Sequence, residues 1–362
     1  MTNIRVAPKL RPERDATVTA TSVLPARFET VEDLEDFMTR PDEALIADLA
    51  RVDGDILILG VAGKMGPTLA RMAKRAAPEK RVIGVARFSE PDLVARLQSW
   101  GIETIKADLM DAEALAALPK CKNVIFMAGM KFGASGNQAL TWAMNTHVPA
   151  MVAETFKDSR IVAFSTGNVY PLVDVFQGGA LESQPAEPRG EYAMSCLGRE
   201  RMFEHFSRKH GTPGRIFRLN YAIDCRYGVL YDLASRIKAG TVIDLSLMGH
   251  VNVIWQGDAN AQALRCLAHT TEVTSPINCS GPETLSLRWL VTELAARLGV
   301  EPKLVGAEPS TAWLTNTAQA NTLFGYPSVP LGAMLDWVAD WVARGEVAYN
   351  KPTKFEARTG AF

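Results

Sequence analysis

A glycine-spaced turn follows the first strongly apolar run of the chain. Gly60, Gly63 and Gly66 stand three residues apart directly after Asp55-Ile56-Leu57-Ile58-Leu59 and open an amphipathic stretch. A tight turn without Cβ atoms lets backbone N–H groups and a helix N-terminus approach a pyrophosphate. A strand before, a helix after and a second strand about 20 residues on make this a dinucleotide signal rather than an ordinary loop. Lys64 and Met65 lie inside the turn. The second strand ends Val85-Ala86-Arg87, without the acid that bonds ribose hydroxyls in NAD sites. A cation there suits a 2′-phosphate, so NADP is placed ahead of NAD; stacking on adenine or plain solvation are the other readings of Arg87. His147, His205, His210, His250 and His269 form no metal pattern, and no metal is expected.

Two further segments lie downstream: Ser165-Thr166-Gly167-Asn168-Val169-Tyr170 and Tyr192-Ala193-Met194-Ser195-Cys196. With the glycine turn they resemble the extended short-chain dehydrogenase/reductase superfamily, in its sugar epimerase/dehydratase branch. The resemblance spans about residues 53–345. It implies hydride transfer with NAD(P) at a secondary alcohol or ketone of a carbohydrate-like substrate. Aligning Val169-Tyr170 with the family's Val-Tyr puts Thr166 at the hydroxyl position, with Ser165 as second choice, and Tyr192 at the proton-transferring position. By the same match Asn145 fixes the catalytic geometry, and Asp108-Leu109 lies at the adenine. Ala128 and Gly129 let the cofactor pass, and Lys131 reaches it. Asp108 as a helix cap is the alternative, although Asp111 is better placed for that.

Where the family has Lys four residues after its Tyr, this chain has Cys196. A free phenol has a pKa of about 10, and a nearby ammonium brings it toward neutrality; a thiol does not. Lys131 or Arg189 could supply the cation, the positive nicotinamide could suffice, or the chain could bind cofactor without turnover. That last account, an idle dinucleotide-binding sensor or interaction protein, is the rival to an enzyme. Cys196 as a nucleophile has no His placed beside it by the motif.

These residues need a scaffold. Apolar runs at 55–59, 81–86, 102–106, 123–128, 160–165 and 214–219 alternate with amphipathic stretches such as 68–77 and 111–118. Such alternation specifies an α/β Rossmann-type, doubly wound parallel sheet. A smaller interleaved C-terminal substrate-binding region is expected from 221. The expected division is an N-terminal extension at 1–52, a dinucleotide-binding domain at 53–220, a substrate region at 221–345 and a tail at 346–362. Parts of the substrate region return to the sheet in this scheme. Residues 1–28 read as an extended arm, followed by a helix that begins near Thr30 and a second at 41–51. Asp258 reads as a helix N-cap, and 285–298 as a helix.

A net charge of −1 gives no footing for nucleic acid or a membrane surface. Five scattered cysteines point to a reducing compartment. No apolar run approaches the ~18 residues a membrane span requires. The expectation is a cytoplasmic protein. The resemblance adds a homodimer, paired through the segments 145–156 and 192–210.

Overall fold

The computed structural model describes residues 24–131, 136–351 and 353–360. Most of the expected arm, residues 1–23, lies outside the described residues. Seven strands form the central sheet: β1 (Ile56–Leu59), β2 (Val82–Ala86), β3 (Glu103–Lys106), β4 (Asn123–Phe126), β5 (Arg160–Thr166), β6 (Gly214–Leu219) and β7 (Ser275–Cys279). All pairings are parallel, in the order β7-β6-β5-β4-β1-β2-β3. The winding reverses between β1 and β4, and open α/β sheets bind ligands at the strand C-termini beside such a reversal. Residues of β1, β2 and β4 are buried throughout, which is why these runs are nearly unbroken Val, Ile and Leu. The edge strand β3, Glu-Thr-Ile-Lys, is partly exposed.

Helices α1 (Val31–Met38) and α2 (Glu43–Ala50) start at Thr30 and Asp42, whose side chains accept backbone N–H groups. With α2, helices α3 (Gly66–Ala76) and α4 (Pro91–Ser99) cover one face of the sheet. Helix α5 (Ala112–Ala116) covers the other. There it is joined, beyond the short α6 (Gln138–Trp142), by α7 (Val148–Thr155) and α8 (Gly190–His210). A third core sits in the C-terminal half, where α9 (Val229–Lys238) packs with two later helices.

The chain returns to the sheet further on than six strands imply. Helix α10 (Gln256–Arg265) lies over α3 and α2, and β7 then pairs beside β6. Pro276 sits in this strand, and an edge is where a strand tolerates Pro. Residues 254–279 therefore belong to the dinucleotide-binding layer, inside the stretch assigned to the substrate region. Beyond it come α11 (Leu287–Leu298), α12 (Ala318–Phe324) and α13 (Leu331–Arg344). The expected helix at 285–298 starts later, because Leu285–Ser286 pairs with His250–Val251 and Ser286 then caps α11.

Asp258 is not an N-cap. That position of α10 is Trp255, while the Asp258 carboxylate accepts from Ser328 N at 3.0 Å, Ser328 Oγ at 2.7 Å and Val329 N at 3.1 Å. The N-terminal extension joins the two halves. Phe37 packs edge-on against Trp337 at 5.3 Å, Trp255 meets the same ring at 5.2 Å, and Asp48 binds Arg265 at 2.6 Å. No helix among the described residues is long and apolar enough to cross a membrane.

Candidate active site

The three glycines of the turn do different work. Gly60 has φ +92°, and a Cβ there would come 2.6 Å from the Ala128 nitrogen. A Cβ on Gly66 would fall 2.1 Å from the Val61 carbonyl oxygen. Both are imposed by the fold. Gly63 is exposed, and its nearest neighbour would be the Gly60 oxygen at 3.5 Å, an ordinary contact. The space above Gly63 is thus kept clear with no internal cause. Helix α3 begins beside it with no side-chain cap. An open turn facing uncapped N–H groups fits the diphosphate of a dinucleotide. Lys64 places its Nζ 3.2 Å from the Tyr227 ring centroid. Burial, with Lys131 and Lys351 nearby, brings it down to about 7.

Arg87 is exposed at the end of β2. Asp108 is exposed and accepts from Met110 N at 3.0 Å, while Asp111 caps α5, so Asp108 is not needed as the cap. Leu109 is a core residue at 5% exposure. Ala128 abuts Gly60, and a Cβ on Gly129 would lie 2.4 Å from Arg199 Nη2, so Gly129 is also fixed from inside the protein. Lys131 donates to the Thr353 carbonyl at 3.2 Å, and its Nζ stands 5.8 Å from the Tyr192 ring centroid. Burial holds Lys131 down to about 8. Met65, at the N-cap of α3, lines the same cavity as these lysines.

That cavity, of about 170 Å³, opens at the C-terminal end of the sheet and runs from Lys64 past Thr166 and Tyr192 to Tyr227 and Gln256. Thr166 ends β5. Its hydroxyl donates to Asn168 Oδ1 at 3.0 Å and accepts from Asn168 N at 3.2 Å. It also lies within hydrogen-bonding reach of the Tyr192 phenol. Ser165 instead donates to Glu200 Oε1 at 2.5 Å, and Glu200 is buried against Arg218 at 2.6 Å. The second choice is thereby committed to a structural ion pair.

Tyr192 lies in the first turn of α8, after Gly190 at φ +78°. The phenol lies within hydrogen-bonding reach of the Cys196 thiol one turn on, and burial pushes both groups above their ordinary values. Asn145 is wholly buried; its Oδ1 accepts from Met130 N at 2.8 Å and its Nδ2 donates to Met130 O at 2.9 Å and Ser195 Oγ at 3.0 Å. It thus clamps the chain after β4 to α8.

The structure brings Lys64, Met65, Lys131, Thr166 and Tyr192 to one cavity. Arg189, one of the two candidate cations, is exposed at the N-cap of α8 and does not line it. Sequence reading missed Tyr227, Gln256 and Thr353, which reach the cavity from distant segments with no local signature. The tail is an active wall. Thr353 N donates to Asp232 at 2.8 Å, and Phe355 is 2% exposed. Among the described residues no group of His, Cys, Asp and Glu could hold a metal ion.

A family model described as NAD dependent epimerase/dehydratase matches residues 56–251. No protein of curated function matches the sequence. Among solved structures, the chain is similar to UDP-glucuronic acid 4-epimerase from Bacillus cereus in complex with UDP-glucuronic acid and NAD. The identity is 18%, the TM-score 0.66, and 80% of this chain and 99% of that one are covered. It is also similar to dTDP-glucose 4,6-dehydratase from Streptomyces venezuelae with NAD bound, at 20% identity, TM-score 0.68 and 80% and 97% coverage. A third, UDP-glucose 4-epimerase with UDP-glucose from Thermotoga maritima, gives 17%, 0.67, and 80% and 99%. At these identities the likeness establishes the shared fold.

Proposed function

The chain belongs to the NAD dependent epimerase/dehydratase family of the extended short-chain dehydrogenase/reductase superfamily, and we propose that it acts by hydride transfer at a secondary alcohol or ketone of a sugar or sugar derivative. The observation that carries this reading is the meeting of Thr166 and Tyr192 in a cavity that also reaches the glycine turn. The turn from Gly60 to Gly66 and the start of α3 would hold the cofactor diphosphate. Arg87 stands ready for a 2′-phosphate, which supports NADP ahead of NAD, although the similar B. cereus and S. venezuelae structures carry NAD. Asp108 would meet the adenine end, beside the buried Leu109. Ala128 and Gly129 would line its path.

The nicotinamide, when bound, supplies the hydride acceptor or donor. The chain supplies the proton chemistry. Tyr192 gives a proton to, or takes one from, the substrate oxygen, and the Thr166 hydroxyl holds that oxygen in place. Asn168 Nδ2, buried at the cavity wall beside the Tyr221 phenol, offers a donor to a second substrate oxygen. Asn145 keeps the segment before Lys131 and the Tyr192 helix in fixed relation. Residues 53–220, with the return at 254–279, form the cofactor-binding part, and the rest of 221–345 the substrate part. A homodimer through α7 and α8 accompanies this reading and is tested by its mass in light scattering.

The rival reading is a binder without turnover. It is favoured by one observation, that Tyr192 faces a thiol where the motif has an ammonium. One experiment separates the two. Native mass spectrometry after incubation with NAD and NADP reports binding; over a panel of free and nucleotide-linked sugars, absorbance at 340 nm reports net hydride transfer and chromatography of the sugars reports transfer in which the hydride is returned. Binding with transfer supports the enzyme; binding with no transfer on any sugar supports the rival.

A further inference from the structure

Tyr192 carries an electrostatic problem that the cavity wall does not solve. Taking a phenol out of water disfavours its ionised form, and burial is the largest cause raising this one. The charged groups around it are mostly committed. Glu200, on the same helix, is held by Arg218 and Ser165. Glu191 accepts from Trp142 Nε1 at 2.6 Å. From α9, Asp232 is tied to Thr353. From the segment after β4, Lys131 lies over the ring at 5.8 Å, but it reaches the Thr353 carbonyl and is held down to about 8, with Lys354 adding to the repulsion.

Arg199 is different. It lies on α8, two turns from Tyr192 and one from Cys196, and is 6% exposed. Its Nη1 donates to the Phe164 carbonyl at 2.8 Å, its Nη2 to Asn145 Oδ1 at 2.8 Å and its Nε to the Asn145 carbonyl at 3.4 Å. All three acceptors are neutral. Among the described residues no carboxylate lies within 4.0 Å of it, whereas the buried Arg218 and Arg226 each have one at 2.8 Å or less. A desolvated guanidinium normally keeps a carboxylate partner. This one is fixed in a fork of neutral oxygens, and its field lowers the pKa of both Tyr192 and Cys196.

Building on the proposed proton-transfer role of Tyr192, we propose that Arg199 is the positioning residue whose buried positive charge allows Tyr192 to ionise. Held beneath Gly129 by Asn145 and the Phe164 carbonyl, it offsets the single negative charge left when the phenol proton passes to the substrate oxygen. Cys196 completes the pair. Its sulfur accepts the phenol proton's hydrogen bond in the neutral state, and its own S–H can turn toward the phenolate in the ionised one. The unpaired state of Arg199 thus has a use: a carboxylate beside it would cancel the charge that Tyr192 needs.

The test is the titration of Tyr192 itself, which requires no substrate. Protein labelled with [ζ-¹³C]tyrosine carries seven such residues, and Tyr192→Phe identifies the resonance. In excess NAD, the Tyr192 signal of the wild type is expected to ionise in alkali before the protein unfolds. Arg199→Gln should move its midpoint upward, as loss of a nearby positive charge does, while Arg199→Lys should leave it near the wild-type value. Should Arg199→Gln fail to fold, Asn145→Asp neutralises the guanidinium in place and should give the same upward shift. No ionisation in the wild type, or a wild-type midpoint in either neutralising variant, overturns the inference. A merely structural arginine would lower the melting temperature without moving the midpoint. The catalytic reading fails separately, if Tyr192→Phe still transfers hydride.

Discussion

Replacing Gly63 by Ala should separate binding from folding, because the structure gives the three turn glycines different reasons to lack a side chain. A Cβ at 63 would meet nothing closer than 3.5 Å, so Gly63→Ala should cost within about 0.5 kcal/mol of stability, as for an unremarkable surface change. A Cβ at 66 would stand 2.1 Å from the Val61 oxygen, so Gly66→Ala must move backbone. Its cost should reach or exceed the ~1–3 kcal/mol of overpacked cores. The same methyl at 63 would occupy the approach of a diphosphate to the α3 N-terminus. Loss of one hydrogen bond to a charged group, ~1.5–3 kcal/mol, corresponds to roughly ten- to hundredfold weaker binding. Differential scanning fluorimetry without ligand and calorimetric titration with NAD read the two effects. Gly63→Ala should melt like the wild type yet lose most of the NAD-induced rise in melting temperature; Gly66→Ala should melt low from the start. A Gly63→Ala protein that binds NAD normally would refute the placement of the diphosphate, and one destabilised like Gly66→Ala would refute the geometric argument.

Other consequences follow from named contacts. Glu200→Gln leaves the buried Arg218 without its carboxylate and should cost ~3–5 kcal/mol in urea unfolding, as removal of one partner of a buried pair does; a cost under 1 kcal/mol would contradict the pairing. Arg87→Ala should weaken NADP by ~1–3 kcal/mol through loss of a charge-assisted bond while sparing NAD, and equal losses by calorimetry would remove Arg87 from the cofactor site. Lys64, brought down to about 7, loses its positive charge as pH rises through neutrality, so dinucleotide affinity should fall from pH 6 to 8 and become flat in Lys64→Met. The sign for folding is opposite: the unfolded chain holds this proton up to its ordinary value of 10.5, so stability from Lys64 should rise with pH between those limits.

Much of the scaffold was legible because burial on both faces leaves little choice of residue. Apolar runs marked six of the seven strands to within about two residues, the start of α1 near Thr30 was legible, and Asp111 was recognisable as the cap of α5. The seventh strand was missed because it follows a region without strand–helix alternation and contains Pro276, which a central strand would exclude. Asp258 misled for a related reason. An acid in a first helical turn reads as a cap, yet its partners are Ser328 and Val329, about 70 residues away. At the site, motif spacing located Thr166, Tyr192 and the glycine turn, which are local in sequence. Thr353 and Tyr227 arrive from elsewhere in the chain, and only packing reveals them. Arg199 was passed over because a charged residue in a helix reads as solvated surface; that its guanidinium turns inward to Asn145 and Phe164 is a tertiary fact.

The central claim, that this cavity moves hydride with Tyr192 as its proton-transfer group, is tested most directly by comparing the wild type with Tyr192→Phe. Both proteins are examined by native mass spectrometry for bound NAD or NADP, and across the sugar panel by absorbance at 340 nm together with chromatography of the sugars, which detects turnover that returns its hydride. The expected result is equal cofactor retention in both proteins, with hydride transfer in the wild type alone. Equal turnover in Tyr192→Phe, or no dinucleotide binding by the wild type, would contradict it.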